Sequence, residues 1–77
     1  MRLIKILFIE DIKVTIFDFA LKYVIKFEKN QLEQTYKLDK LEFSDLDDLE
    51  RKINLDIIKS IKNRFSDMTS DLKKFYK

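Results

Sequence analysis

Apolar and polar residues alternate along the first half of the chain. In residues 17–28, FDFALKYVIKFE, every odd position is apolar or aromatic. Alternation places such side chains on one face of a strand, whereas a helix would spread them around its circumference, and Ile, Val, Phe and Tyr favour strands. The pattern predicts a strand whose apolar stripe packs on the helix of its own chain, with Lys22, Lys26 and Glu28 towards water.

The alternation changes parity just before this stripe. Ile12, Val14 and Ile16 occupy even positions, whereas Phe17 begins the odd ones. A shift of one residue turns side chains to the opposite face of a strand, so we expect a β-bulge or break within residues 16–18. A straight strand over residues 12–28 would exceed ~55 Å, which also favours a bend.

Polar segments mark the ends of further strands. Glu10–Asp11 would turn the first strand, Arg2–Ile9, into the second, although a tight mirror-image turn is strained without glycine. Residues 29–31, KNQ, predict the next turn, with Asn30 best suited to left-handed backbone. A weaker strand then follows, marked by Leu32, Tyr36 and Leu38.

After Ser44 the apolar residues recur at helical spacing. Ser44 is the predicted N-cap, and the acidic residues behind it suit the positive end of a helix dipole. The mean spacing is about 3.6 residues, that of a helix on a globular core rather than the 3.5 of a coiled coil. The apolar positions are Leu46, Leu49, Ile53, Ile57, Ile61, Phe65, Met68, Leu72 and Phe75.

One helix over this whole segment would be roughly 50 Å long. The sequence FSDL at 43–46 recurs as FSDM at 65–68, so Ser66 or Ser70 could cap a second helix; one uninterrupted helix is the alternative. We predict a single α+β domain over residues 1–77. It has a small antiparallel β-meander of three to four strands (residues ~2–39), followed by two C-terminal helices (~45–65 and ~70–76) packed on one sheet face.

Composition excludes most enzyme chemistry. The chain has no Cys and no His, which removes the thiol nucleophile, the commonest general base and the typical zinc ligands. It has no Gly, which excludes phosphate-binding glycine loops. Asp47 and Asp48 point about 100° apart on a helix and do not converge on one ligand. We predict no enzyme, no catalytic or metal-binding residue and no cofactor.

The charge balance leaves nucleic-acid binding as an alternative. The net charge is only +2, from 16 basic and 14 acidic residues, which is a small excess for a nucleic-acid-binding protein. Cations near a helix C-terminus also complement its dipole. The basic residues of the C-terminal third are Lys59, Lys62, Arg64, Lys73, Lys74 and Lys77, with Phe75 and Tyr76 among them.

Two charged clusters are predicted partner-binding surfaces, and charge reversal at either should slow association with a larger protein. The acidic cluster at the helix start comprises Asp45, Asp47, Asp48 and Glu50. The basic tail comprises Lys73, Lys74, Tyr76 and Lys77.

The first strand is apolar on both faces. Ile4, Ile6 and Phe8 occupy one parity, and the other parity is also apolar, as in strands that are buried on both sides. Helices that pack on one face of a sheet leave its other face exposed, and large exposed apolar surfaces are uncommon on monomers. We therefore predict a homodimer or target-binding surface formed by Leu3, Leu7 and Ile9, with Val14 or Ile16.

These features predict a small non-catalytic protein-binding module. Its size and residue usage are typical of phage or mobile-element inhibitors that occlude a host protein, for example a defence nuclease or a replication or transcription factor. The alternatives are a nucleic-acid-binding protein that uses its basic C-terminal helix and a purely structural homo-oligomer subunit. The segment MRLIKILFI is far shorter than the ~20 residues of a bilayer span, so we expect no membrane partner and a cytoplasmic location, in the host if the protein is phage-encoded.

Overall fold

The computed structural model describes all residues from Met1 to Lys77. Its first half is one open antiparallel sheet of four strands, which lie in the sheet in the order of the chain. The strands are β1, Arg2–Ile9; β2, Ile12–Phe19; β3, Lys22–Lys29; and β4, Leu32–Asp39. The predicted α+β fold with an antiparallel meander is confirmed, with four strands.

A turn of two residues joins each strand to the next, because the strands begin at residues 2, 12, 22 and 32. One of these turns is Ala20–Leu21, so the prediction of a single strand over residues 17–28 is wrong. The reason is local: Ala20 and Leu21 are both apolar, and they leave no polar break in the alternation.

Each turn also reverses which positions face the helices. Ile16 of β2 pairs with Ile25 of β3, and both are buried beneath the helices. The helix-facing positions are therefore even in β2 and odd in β3. Phe17 and Phe19 consequently lie on the opposite side of the sheet, which we call the open face.

The predicted bulge lies in β1 rather than in β2. Leu3 pairs with Phe17 and Lys5 pairs with Ile16, which leaves Ile4 as the extra residue in β1. β2 itself stays regular. Its apolar residues change parity because Ile16 lies on the helix side of the sheet and Phe17 lies on the other side, and the strand does not bend there. The bulge turns Ile4 towards the core, where it packs against the buried cluster.

The three turns use a left-handed backbone without any glycine. The first turn residue has a positive φ in each case: 57° at Glu10, 56° at Ala20 and 55° at Asn30. The left-handed backbone predicted at Asn30 is confirmed. For an L-residue with a Cβ this conformation costs roughly 1–2 kcal/mol, and Asn tolerates it better than Ala or Glu does.

The helical half follows a short 3₁₀ helix, Lys40–Glu42. Helix α1 spans Leu46–Arg51 and helix α2 spans Leu55–Phe75. The predicted bounds of 45–65 and 70–76 are therefore wrong, because the break falls between Arg51 and Leu55. Ser66 and Ser70 lie inside α2, where the Ser70 hydroxyl donates to the Ser66 carbonyl oxygen.

Capping side chains explain where the helices begin. Asp45, one residue after the predicted cap Ser44, accepts a hydrogen bond from the Asp48 backbone N–H at 2.9 Å. Asn54 has an extended backbone and accepts from the Ile57 N–H at 3.0 Å. A side-chain acceptor at this position satisfies an N–H that the helix leaves free, so Asn54 starts α2 without any Gly or Pro.

The core lies between the helices and one face of the sheet. The Gln34 amide, itself buried, donates to the Ile61 carbonyl oxygen at 3.0 Å and ties β4 to α2. The buried cluster comprises Ile12, Val14, Ile16, Ile25, Phe27, Leu49, Ile58, Ile61 and Phe65. The prediction that the helices pack on one sheet face is therefore confirmed.

The strained turn gives the first prediction. Ala20→Gly should raise the free energy of unfolding by about 1 kcal/mol, because glycine adopts a positive φ without the Cβ clash. The measurement is urea unfolding followed by circular dichroism. The matched control is Leu21→Gly, at the second turn position, where φ is not positive; equal stabilisation by both variants would contradict the explanation.

The second prediction concerns the cap of α2. Asn54→Ala should lower the free energy of unfolding by about 1 kcal/mol, because the Ile57 N–H loses its acceptor. Asn63→Ala is the control, since Asn63 is an exposed residue inside α2. There alanine has the higher helix propensity, so that variant should be neutral or slightly stabilising.

Candidate protein-binding surfaces

The predicted acidic cluster is largely engaged within the protein. Asp48 accepts from the Ser44 backbone N–H at 3.0 Å, and this hydrogen bond is the main reason why the pKa of the Asp48 carboxyl lies below its ordinary value. Asp45 is the N-cap of α1. Glu50 lies 2.6 Å from the Lys5 ammonium. Only Asp47 remains exposed and without a hydrogen bond or ion pair, so the cluster mainly secures α1.

The predicted basic tail lies beyond the core. The last buried residue of α2 is Phe65, and Phe75 and Tyr76 are 82% and 73% exposed. Lys74 pairs with Asp71 at 3.5 Å, whereas no carboxylate pairs with Lys73 or Lys77. The tail is therefore an accessible cationic and aromatic segment.

The structure corrects the predicted dimer surface. Val14 and Ile16 are 0% exposed beneath the helices, and Leu7 and Ile9 pack against the same core. Only Leu3 lies on the open face, at 51% exposure. The bulge at Ile4 explains this difference, because it puts Leu3 on the face of the sheet opposite to that of Leu7 and Ile9.

The open face carries an apolar surface that includes Phe17 and Phe19, the two phenylalanines of β2 that were predicted to pack in the core. Leu3, Ile6, Phe8 and Phe19 are 51%, 42%, 73% and 50% exposed, and Phe17 lies half-buried between them. We call these five residues the open-face patch. A turn placed at Ala20–Leu21 would have revealed it, because that turn moves Phe17 and Phe19 to the side opposite Tyr23, Ile25 and Phe27.

Lysines surround the open-face patch. In the strand register Lys13 stands beside Phe8, and Lys22 stands beside Phe19. Lys26 lies 5.6 Å above the ring of Phe17 and 3.8 Å from Glu33. The lysines of the open face that form no ion pair are Lys13, Lys22 and Lys37.

An apolar cleft of about 230 Å³ opens on the other side of the sheet, between β3, β4 and the two helices. We call it the cationic cleft, because Lys52 and Arg64 are its only charged lining residues. Its apolar wall comprises Ile25, Phe27, Tyr36, Leu38, Phe43, Leu49, Ile53, Ile57 and Ile61, and Ser60 completes the lining.

A charged cluster holds the end of the sheet to the connecting segment. Asp18 of β2 accepts hydrogen bonds from Lys40 and, at 3.3 Å, from Arg2. The hydrogen bond from Lys40 is the larger cause of a lowered pKa of the Asp18 carboxyl. Lys40 also lies 5.4 Å above the ring of Tyr23, so this cluster fixes the path of the chain out of β4.

Comparison of the chain with protein family models, with curated proteins and with solved structures found no match. None of the helices has both the length and the apolar character that a membrane span requires. No group of three or more acidic side chains converges as a set of metal ligands.

The Asp18 cluster predicts a pH dependence. Because the folded-state pKa of Asp18 is lowered, its stabilising effect is present above the ordinary aspartate pKa and is lost as the pH falls through the lower folded value. Asp18→Asn should therefore be less stable than the wild type at neutral pH, and this difference should shrink in acid. Urea unfolding from pH 7 to pH 2 measures it.

Asp67→Asn is the matched control, since Asp67 is exposed in α2 and forms no ion pair. Its free energy of unfolding should follow that of the wild type at every pH. A stability difference for Asp18→Asn that stays constant down to pH 2 would contradict the assigned role of the carboxylate.

Proposed function

We propose that this protein is a small non-catalytic protein-binding module that contacts its partner through the open-face patch. The observation that carries the proposal is the exposed apolar area opposite the helices. At about 200 Å² for a fully exposed large side chain, the patch exposes on the order of 400 Å². Contiguous apolar patches of this size often mark interaction sites.

The charges around the patch favour a partner other than a second copy. Three lysines there lack an ion pair, against two carboxylates, Glu28 and Asp39, and the Asp39 side chain is already engaged as the cap of the 3₁₀ helix. Two copies packed face to face would bring unpaired lysines together, which is unfavourable. A partner surface with an apolar centre and an acidic rim would complement both features.

The edge of the sheet extends this surface. β1 is an edge strand, so the backbone groups on its outer side have no strand partner. A stable interface buries about 800 Å² on each protein, and the patch, its lysine rim and this edge together could supply that area. Without catalytic groups, the protein would act by occluding the surface to which it binds.

The exposed end of α2 supports a second candidate function, nucleic-acid binding. Lys73, Lys74 and Lys77 surround Phe75 and Tyr76 there, and both aromatic side chains are accessible. Lysines can contact phosphates while aromatic rings stack on bases. Retention on single-stranded DNA that falls steeply with salt would be the signature of this function.

The test compares two double variants, each of which removes two exposed aromatic side chains. Phe8→Ser/Phe19→Ser alters the open-face patch, and Phe75→Ser/Tyr76→Ser alters the tail. We expect the wild type and the tail variant to capture the same protein partner from lysate. The patch variant should bind that purified partner at least tenfold more weakly, since buried aromatic anchors dominate interface energies.

Lys13→Glu/Lys37→Glu probes the acidic rim of the partner. This variant should associate with the purified partner more slowly and with weaker salt dependence. Equal binding by the patch variant would overturn the proposal, as would loss of binding in the tail variant alone. A dimer of this chain that is held by the patch, seen by analytical ultracentrifugation, would overturn the choice of a different partner.

A further inference from the structure

We propose that the cationic cleft binds a small carboxylate amphiphile, a molecule with a short apolar chain and an anionic head group. The cleft lies on the helix side of the sheet, so this site is separate from the open-face patch and does not depend on the proposed function. The proposal rests on its apolar walls, its limited volume and the chemistry of the polar groups that line it.

The floor of the cleft belongs to the core. Ile25, Phe27, Leu49 and Ile61 are each 2–3% exposed, whereas Ile57 at the mouth is 41% exposed. An apolar chain that entered the cleft would cover carbon on the sheet and on both helices. The volume of about 230 Å³ is below the ~300–1,000 Å³ of drug-sized ligand sites, so the occupant must be small.

The polar groups of the lining favour an anion. They are the Lys52 ammonium, the Arg64 guanidinium and the hydroxyls of Ser60 and Tyr36, and the lining contains no Asp or Glu. Arg64 donates to the Tyr36 hydroxyl oxygen at 3.1 Å. This bond leaves the Tyr36 proton and the other N–H groups of the guanidinium free to donate to a carboxylate.

Both cations of the cleft lack a carboxylate partner. Their neighbours are paired: Arg51 lies 3.5 Å from Asp48, and Lys62 pairs with Glu10. Lys52 and Arg64 form no ion pair, although the charge of Lys52 helps to lower the pKa of the Asp48 carboxyl. Two cations that form no ion pair beside an apolar cleft are complementary to a carboxylate on an apolar chain. A neutral or cationic amphiphile would supply no negative charge to pair with them.

The Arg64–Tyr36 contact also gives the site a defined geometry. It links α2 to β4 across the mouth of the cleft, and Tyr36 packs edge-on against Phe27 with the ring centroids 6.2 Å apart. The guanidinium is therefore held near the cleft before any ligand arrives, which lowers the entropic cost of ordering it.

The experiment uses the full chain and sodium octanoate as the probe, below its micellar concentration. We expect saturable binding at one site, seen as chemical-shift changes of the Ile57, Ile61 and Tyr36 signals in NMR spectra. Octanoate should also raise the melting temperature. Octanol and octylammonium, which keep the chain but change the head group, should bind at least tenfold more weakly.

Variants separate head-group recognition from chain burial. Arg64→Gln and Lys52→Gln should each weaken octanoate binding several-fold or more and reduce the preference over octanol. Ser60→Phe, at an exposed position of the lining, should block the cleft and abolish binding of every probe. Lys59→Gln is the control, since Lys59 is an exposed lysine of α2 outside the lining, and its affinity should match that of the wild type.

Four results would overturn the proposal: no saturable octanoate binding, equal affinity for octanoate and octanol, unchanged affinity in both Arg64→Gln and Lys52→Gln, or shift changes at Phe8 and Phe19 instead of the cleft. The variants of the open-face patch should bind octanoate like the wild type. The failure of this site and the failure of the proposed function are therefore distinguishable.

Discussion

Because every connection in the sheet is a turn of two residues, the register of each strand is fixed by the strand before it. The pairing follows without interruption through β2, β3 and β4, and the bulge at Ile4 is the only shift, in β1. This register decides which side chains meet beneath the helices and which remain on the open face. The left-handed residues Glu10, Ala20 and Asn30 sustain it, so the core and both candidate surfaces depend on three strained positions.

Alternation predicted the strands well but placed one turn poorly. A two-residue turn must reverse the parity of the helix-facing positions, and the strand pairing makes these positions odd in β1, even in β2, odd in β3 and even in β4. The reversal into β3 was obscured, because Phe17 and Phe19 of the open face share the odd parity of Tyr23, Ile25 and Phe27. A stripe that looked continuous therefore belongs to two strands and two faces. Only pairing between strands, which is not local in sequence, distinguishes these readings.

Helical periodicity predicted part of the buried face of the second half but not its break. Leu49, Ile61 and Phe65 are buried as the spacing indicates, because periodicity follows from the geometry of the helix itself. Ile57 and Phe75, however, are 41% and 82% exposed, and Ile58 is buried in place of Ile57. The break at 52–54 depends instead on the Asn54 cap and on α1 being tied to the sheet through Glu50 and Lys5. Ser66 had an equally good capping sequence, but the helix is continuous there. Local capping preference is a weak signal where the packing of an apolar face favours continuation.

A short chain with one helical layer can bury only one face of its sheet, and this limit shapes both candidate sites. On the helix side, the cationic cleft remains between the two helices and strands β3 and β4. On the open side nothing covers the patch, although Thr15 and Val24 in the middle of that face are already buried by their neighbours. Leu3, Ile6 and Phe19 keep 42–51% of their surface in water, and Phe8 keeps 73%. This exposed apolar area contributes nothing to the stability of the isolated chain, and it is the physical reason for proposing the open face as a binding surface.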